Sequence, residues 1–149
     1  MPPTDSQRDD AYWLALFEVL IPPDTARGMP SAALPAMLPA VRERLRAVAG
    51  MEAIVEASLD AIDARLVAAG GAELASLDLE AREAVMREAD ADQPMGLNAL
   101  AFNVFATYYQ QPEVLAALGL PGRAPFPEGF ALDDDDEPWL AKARARAGD

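Results

Sequence analysis

The chain contains no cysteine and no histidine among its 149 residues. Without cysteine there is no disulfide, thiolate zinc site, iron–sulfur cluster or cysteine nucleophile. Without histidine there is no Ser-His-Asp triad, no imidazole metal ligand and no histidine base. Long hydrophobic runs are also missing. The most apolar early stretch, Leu14 to Ile21, is interrupted by Glu18, and nothing approaches the roughly 20 apolar residues of a membrane span. No basic n-region followed by an apolar core opens the chain, so a cytoplasmic location is expected, with export only on a partner or behind a leader outside this sequence.

Positive charge is scarce: 12 Lys and Arg stand against 25 Asp and Glu, for a net charge of −13. That balance argues against nucleic acid, whose affinity comes largely from cationic contacts to phosphate, and against anionic membrane surfaces. What is present is a 52% hydrophobic composition, enough for a core in a chain of this length.

The apolar residues recur with helical spacing and nowhere with convincing strand alternation. Trp13, Leu16, Phe17 and Leu20 form a stripe on a first helix over 6–21, stopped by Pro22-Pro23. Leu34, Met37, Leu38, Val41, Leu45 and Val48 mark a second, expected to become regular near Pro39 and to end at Gly50. Val55, Leu59, Ile62 and Leu66 define a third over 52–69, before Gly70-Gly71. A fourth is expected over 79–89 with Asp78 as its N-cap. The fifth starts at Pro94 and runs to about Gln110. Its apolar positions Leu97, Leu100, Ala101, Val104, Phe105 and Tyr108 cover more than half the circumference, which marks it as the central helix of a bundle. Pro112 opens a short further turn, closed by Gly119. From Leu120 onward the composition changes to Pro, Gly and an acidic run, Asp133 to Glu137. The reading is all-α: a small bundle of about five helices over 1–119, with an extended Pro/Gly-rich arm and short C-terminal helix over 120–149, packed on the same domain or on a partner.

Candidate sites are few. Glu52, Glu56, Asp60 and Asp63 share one face of the third helix, a spacing that gathers carboxylates. Di-iron bundles add Glu-x-x-His motifs, which this chain cannot supply, so a solvated acidic face is expected. The run Asp133 to Glu137 lacks the alternation and glycine of a calcium loop and reads as a solvated charge run. Gly119, Gly122 and Gly129 follow no strand and form no phosphate loop. Asn98, Asn103 and Thr107 are expected to hydrogen-bond within or between helices. Tyr108 and Tyr109, before Pro112, either finish the core or face a partner. Phe126, Phe130 and Trp139 either fold back on the bundle or dock elsewhere. The candidate interface is therefore Tyr108, Tyr109, Pro112, Pro121, Phe126, Phe130 and Trp139. No catalytic, cofactor or metal residue is assigned.

Phe17-Glu18-Val19-Leu20-Ile21-Pro22-Pro23-Asp24, then Gly28, and later Thr107-Tyr108-Tyr109-Gln110-Gln111-Pro112 leading to Leu118-Gly119-Leu120-Pro121-Gly122, together resemble the gluconate 2-dehydrogenase subunit 3 family. These are small helical subunits of flavoprotein dehydrogenases, and the likeness spans about residues 11 to 130. The resemblance implies a non-catalytic accessory subunit that stabilises or assembles a complex, with flavin and chemistry in the large subunit. The alternatives are a stand-alone helical homo-oligomer or a binder of apolar small molecules, and, further off, an enzyme using carboxylates or the tyrosines.

Overall fold

The structure is a computed structural model that describes residues 8–121. Six α-helices succeed one another: α1 (Asp10–Leu20), α2 (Met37–Arg46), α3 (Met51–Ala68), α4 (Leu79–Asp92), α5 (Pro94–Tyr108) and α6 (Pro112–Ala117). A single 3₁₀ turn, Leu74–Ser76, lies between α3 and α4. The described residues contain no strand; their one extended pairing is an isolated bridge between Asp24 and Met29. The fold is all-α, as the periodicity requires. No helix of the described residues is long and apolar enough to cross a membrane.

Local chemistry sets most of the boundaries. Asp9 caps α1 by accepting from the Tyr12 N–H at 2.8 Å, and Asp78 caps α4 by accepting from Ala81 at 2.8 Å. Each cap satisfies one of the four donors that a helix start leaves without a partner, a stabilisation of about 1 kcal/mol. The same rule explains why α2 begins at Met37 rather than at Pro39. As third residue of the helix, Pro39 falls among the positions whose N–H has no carbonyl to bond. Gly50 does not end α2, which stops four residues earlier at Arg46. Gly50 instead sits ahead of α3 with a φ of 80°, a left-handed backbone that residues with a Cβ rarely adopt. Helix α4 runs three residues beyond its expected end, to Asp92.

The core joins α1, α2, α3 and α5. Trp13, Leu16 and Phe17 of α1 meet Met37, Val41 and Leu45 of α2, Val55, Leu59 and Ile62 of α3, and Leu100, Val104 and Tyr108 of α5. Each such side chain contributes about 1.5–3 kcal/mol by leaving water. The most extensive packing is between α3 and α5, and Gly96 makes it possible. A Cβ at residue 96 would overlap the Ile54 carbonyl oxygen and the Ser58 hydroxyl. Ser58, fully buried, donates to the Gln93 carbonyl at 2.7 Å and so ties α3 to the start of α5.

Two apolar residues read as core from spacing lie outside it. Val48 falls beyond the end of α2 and is 51% exposed, and Phe105 is 42% exposed on α5. The arm over 122–149, including the expected short helix and the acidic run, falls outside the described residues.

Candidate functional site

Two surfaces have distinctive chemistry. The first is the acidic face of α3. Glu56, Asp60 and Asp63 are spaced four and three residues apart, so they stand in line on one side of the helix. Arg8, which precedes α1, crosses this line. Its Nε donates to Asp63 Oδ2 at 2.9 Å, one terminal nitrogen donates to Asp63 Oδ2 at 2.7 Å and to Asp60 Oδ1 at 2.6 Å, and the other pairs with Glu56. The Arg8 side chain is 2% exposed, and its guanidinium lies 5.8 Å from the centre of the Tyr12 ring. Burial alone works against the Arg8 charge. The hydrogen bonds that Arg8 donates to Asp63 and Asp60 outweigh it and hold the guanidinium pKa above its ordinary value.

This face is therefore not simply solvated, as the spacing alone suggests. Three of its four carboxylates form a clamp that fastens the chain ahead of α1 to α3. The fourth, Glu52, pairs separately with Arg46 at 3.3 Å. Among the described residues no group of acidic side chains is arranged to hold a metal ion. Long-range partnership is invisible in spacing: Arg8 is 55 residues from Asp63, and nothing local to either residue signals the other.

The second surface belongs to α5 and the turn beyond its C-terminus. The segment from Gln93 to Pro112 carries no charged residue. At 100° per residue, Met95, Asn98, Phe102, Phe105 and Tyr109 fall within an arc of about 80°. That arc is solvent-facing: Met95 is 70% exposed, Phe102 69% and Tyr109 50%. The opposite arc, with Leu97, Leu100, Val104 and Tyr108, is buried. Helix α5 is apolar on both sides and packed on one.

At its C-terminal end the exposed arc meets a groove of about 500 Å³. Its walls are Ile21, Pro22 and Asp24 from the loop after α1, Tyr108 and Tyr109 from the end of α5, and Leu118 after α6. The loop is held closed. Asp24 and Met29 exchange backbone hydrogen bonds at 3.0 and 2.9 Å, and the Ala32 N–H donates to the Ile21 carbonyl at 2.9 Å. The Asp24 carboxylate accepts from the Arg27 side chain at 2.6 Å, and that hydrogen bond keeps its pKa below the ordinary value. Tyr108 docks the loop on α5: its hydroxyl donates to the Pro30 carbonyl at 2.6 Å. Burial and then the neighbouring Tyr109 raise the Tyr108 pKa.

The structure thus separates the two tyrosines. Tyr108 is 1% exposed and completes the core, whereas Tyr109 packs edge-to-face on it at 5.1 Å and stays half exposed. Pro112 and Pro121 are exposed, and Phe126, Phe130 and Trp139 lie outside the described residues. Asn98, Asn103 and Thr107 bond to carbonyls one turn back on α5, at 2.8, 2.9 and 2.8 Å. Spacing does not reveal Phe102 as a surface residue, because an apolar position on a mostly apolar helix has no distinguishing neighbour.

Of the residues that carry the family resemblance, Ile21, Pro22, Asp24, Tyr108, Tyr109 and Leu118 line this groove, although more than 80 residues separate Asp24 from Tyr108. Comparison with protein-family models, with curated proteins and with solved structures finds no match to the chain.

Proposed function

We propose that this protein is a non-catalytic accessory subunit that docks on a large flavoprotein dehydrogenase through the outer face of α5 and the adjoining groove. The observation that carries the reading is the uncharged outer face of α5 in a chain of net charge −13. Exposed Met, Phe and Tyr without interspersed charge are the composition of an interface centre, where aromatic residues and Met are enriched and charged residues depleted. Contiguous apolar surface of this kind is uncommon on soluble monomers and marks interaction sites. The identity of the partner class comes from the resemblance to gluconate 2-dehydrogenase subunit 3.

The test is affinity purification of the tagged chain from its native cells, with flavin absorbance read across the eluate. The expected result is retention of one large flavoprotein in stoichiometric amount, lost when Phe102→Asp and Phe105→Asp are introduced together. Recovery of no flavoprotein would sink the reading. A second copy of the chain fits the same face, because a neutral patch escapes the repulsion between two strongly negative molecules. Sedimentation of the purified protein separates the two readings: a dimer dissociated by the same double substitution favours self-association.

A further inference from the structure

The groove beside the end of α5 opens where the chain leaves the bundle. Helix α6 is closed by a left-handed turn. Gly119 has a φ of 71°, its N–H donates to the Ala116 carbonyl at 3.0 Å, and the Leu120 N–H donates to the Leu115 carbonyl at 2.8 Å. These bonds satisfy the last carbonyls of the helix and turn the chain off its axis. Leu118, at the turn, stands in the wall of the groove. Pro121, the last described residue, follows within about 11 Å of backbone.

The chain continues Gly122-Arg123-Ala124-Pro125-Phe126-Pro127-Glu128-Gly129. Phe126 comes five residues after Pro121, a span of up to about 17 Å when extended. That is long compared with the width of a groove of about 500 Å³. Three properties match this segment to the groove. The walls are apolar and carry rings: Ile21, Pro22, Met29, Tyr109 and Leu118. Phe126 stands between two prolines, and a residue ahead of proline is held out of the helical region. Proline-flanked extended segments dock on aromatic-lined grooves because they have little entropy left to lose. The charges also fit. Arg27 at the groove is 82% exposed and donates to Asp24 through one side-chain nitrogen at 2.6 Å, which leaves guanidinium donors for Glu128, two residues after Phe126.

We propose that residues 124–128 of the same chain occupy this groove in the free protein. Phe126 lies between Pro22, Tyr109 and Leu118, and Glu128 faces Arg27. The short tether gives the segment an effective concentration in the millimolar range, enough to populate a contact that is weak between separate molecules. Phe130 lacks the flanking prolines, and Trp139 lies beyond the acidic run Asp133 to Glu137, where the closing loop is longer. The inference rests on the groove being part of the docking surface: the arm is then a tethered competitor that the large partner displaces, while Met95 and Phe102 on α5 stay open.

The test uses the full chain alone, without any partner, followed by NMR. Nuclear Overhauser contacts from the Phe126 ring to the methyl groups of Ile21, Met29 and Leu118 are expected at every protein concentration. Phe126→Asp should abolish them and shift the Tyr109 ring resonances while the Leu66 methyls, at the other end of α1, stay in place. Phe126→Leu should keep a methyl contact to Ile21. A peptide of residues 122–129 should bind the Phe126→Asp chain with a Kd on the order of 1 mM. It should bind the native chain at least about tenfold more weakly, because less than a tenth of those grooves are empty. The proposal is overturned by absence of the contacts, by contacts from Phe130 or Trp139 in their place, or by contacts found only between differently labelled chains. Equal affinity of the peptide for both chains also overturns it. None of these outcomes depends on whether a flavoprotein is retained, so the arm and the docking reading fail separately.

Discussion

The acidic face of α3 and the outer face of α5 are opposites in composition and in fate. One is crowded with charge, and its charges find partners within the molecule. The other has none, and its aromatic rings, Phe102, Phe105 and Tyr109, stay 42–69% exposed. Charge on α3 is internal architecture: Arg8 binds across Glu56, Asp60 and Asp63, and Arg65 bridges to Glu88 and Asp92 of α4. Lack of charge on α5 is outward-looking, because apolar rings gain nothing from water and gain about 25 cal/mol per Å² when covered. An acidic stretch is thus not by itself a binding surface, and the plain-looking helix is the stronger interaction candidate.

Breaking the clamp should have the largest effect. Arg8→Met keeps the apolar stem but leaves three carboxylates facing one another, and denaturant unfolding should show a loss of about 3 kcal/mol. A loss below about 0.5 kcal/mol, the range of an ordinary surface substitution, would mean that the α3 face is solvated after all. Next comes Gly96→Ala, which drives a methyl into the backbone of α3. A loss of about 2 kcal/mol is expected from overpacking, confirming that the inner side of α5 is structural while its outer side is free.

Tyr12 gives a test by pH. Its burial, and after it the negative charge of Asp63, raises its pKa above the ordinary tyrosine value of 10.0. The folded protein then holds a proton that the unfolded chain releases, so this contribution is fully present below about pH 10 and declines as pH rises through the range above it. Stability measured from about pH 9 to 11 should fall, and Tyr12→Phe should flatten that limb. An identical alkaline limb in the variant would place the effect elsewhere.

The smallest effect sharpens the contrast most. Phe102→Asp with Phe105→Asp replaces two exposed rings and should change stability by no more than about 0.5 kcal/mol per site, while abolishing association. A large destabilisation would show that these rings support the fold rather than present a surface.

How much of this is legible in the sequence depends on range. The stripes of α1, α3 and α4, such as Val55, Leu59, Ile62 and Leu66, and the Asp78 cap can be read, because those signals lie within a few residues of what they control. The start of α1 cannot be read so closely: it lies at Asp10 rather than at the expected residue 6, with Asp9 as its cap. The 3₁₀ turn at Leu74–Ser76 cannot, since its reason is the burial of one leucine against distant helices. Arg82 shows the same limit: it donates to Glu18 at 2.6 Å and to the carbonyls of Leu74 and Ala75 at 3.2 and 2.9 Å, joining three elements with a fork that a lysine could not reproduce. For the candidate interface, sequence singles out Tyr108 and Tyr109 as a pair and cannot divide them. Phe105 reads as core because α5 is apolar nearly all round.

By itself, the sequence determined that this protein is helical, that it lacks cysteine and histidine chemistry, and where most helices begin and end. These are consequences of composition and of interactions within a turn or two of chain. Tertiary structure alone decided which side of α5 faces inward, since both sides are apolar and the packing of α3 and α2 against one of them chooses between them. It also decided that the carboxylates of α3 hold Arg8, and that the loop after α1 meets the end of α5 through Tyr108 and Pro30. Contacts between residues so far apart in the chain depend on how the helices pack, and that is set by the shape of the whole core.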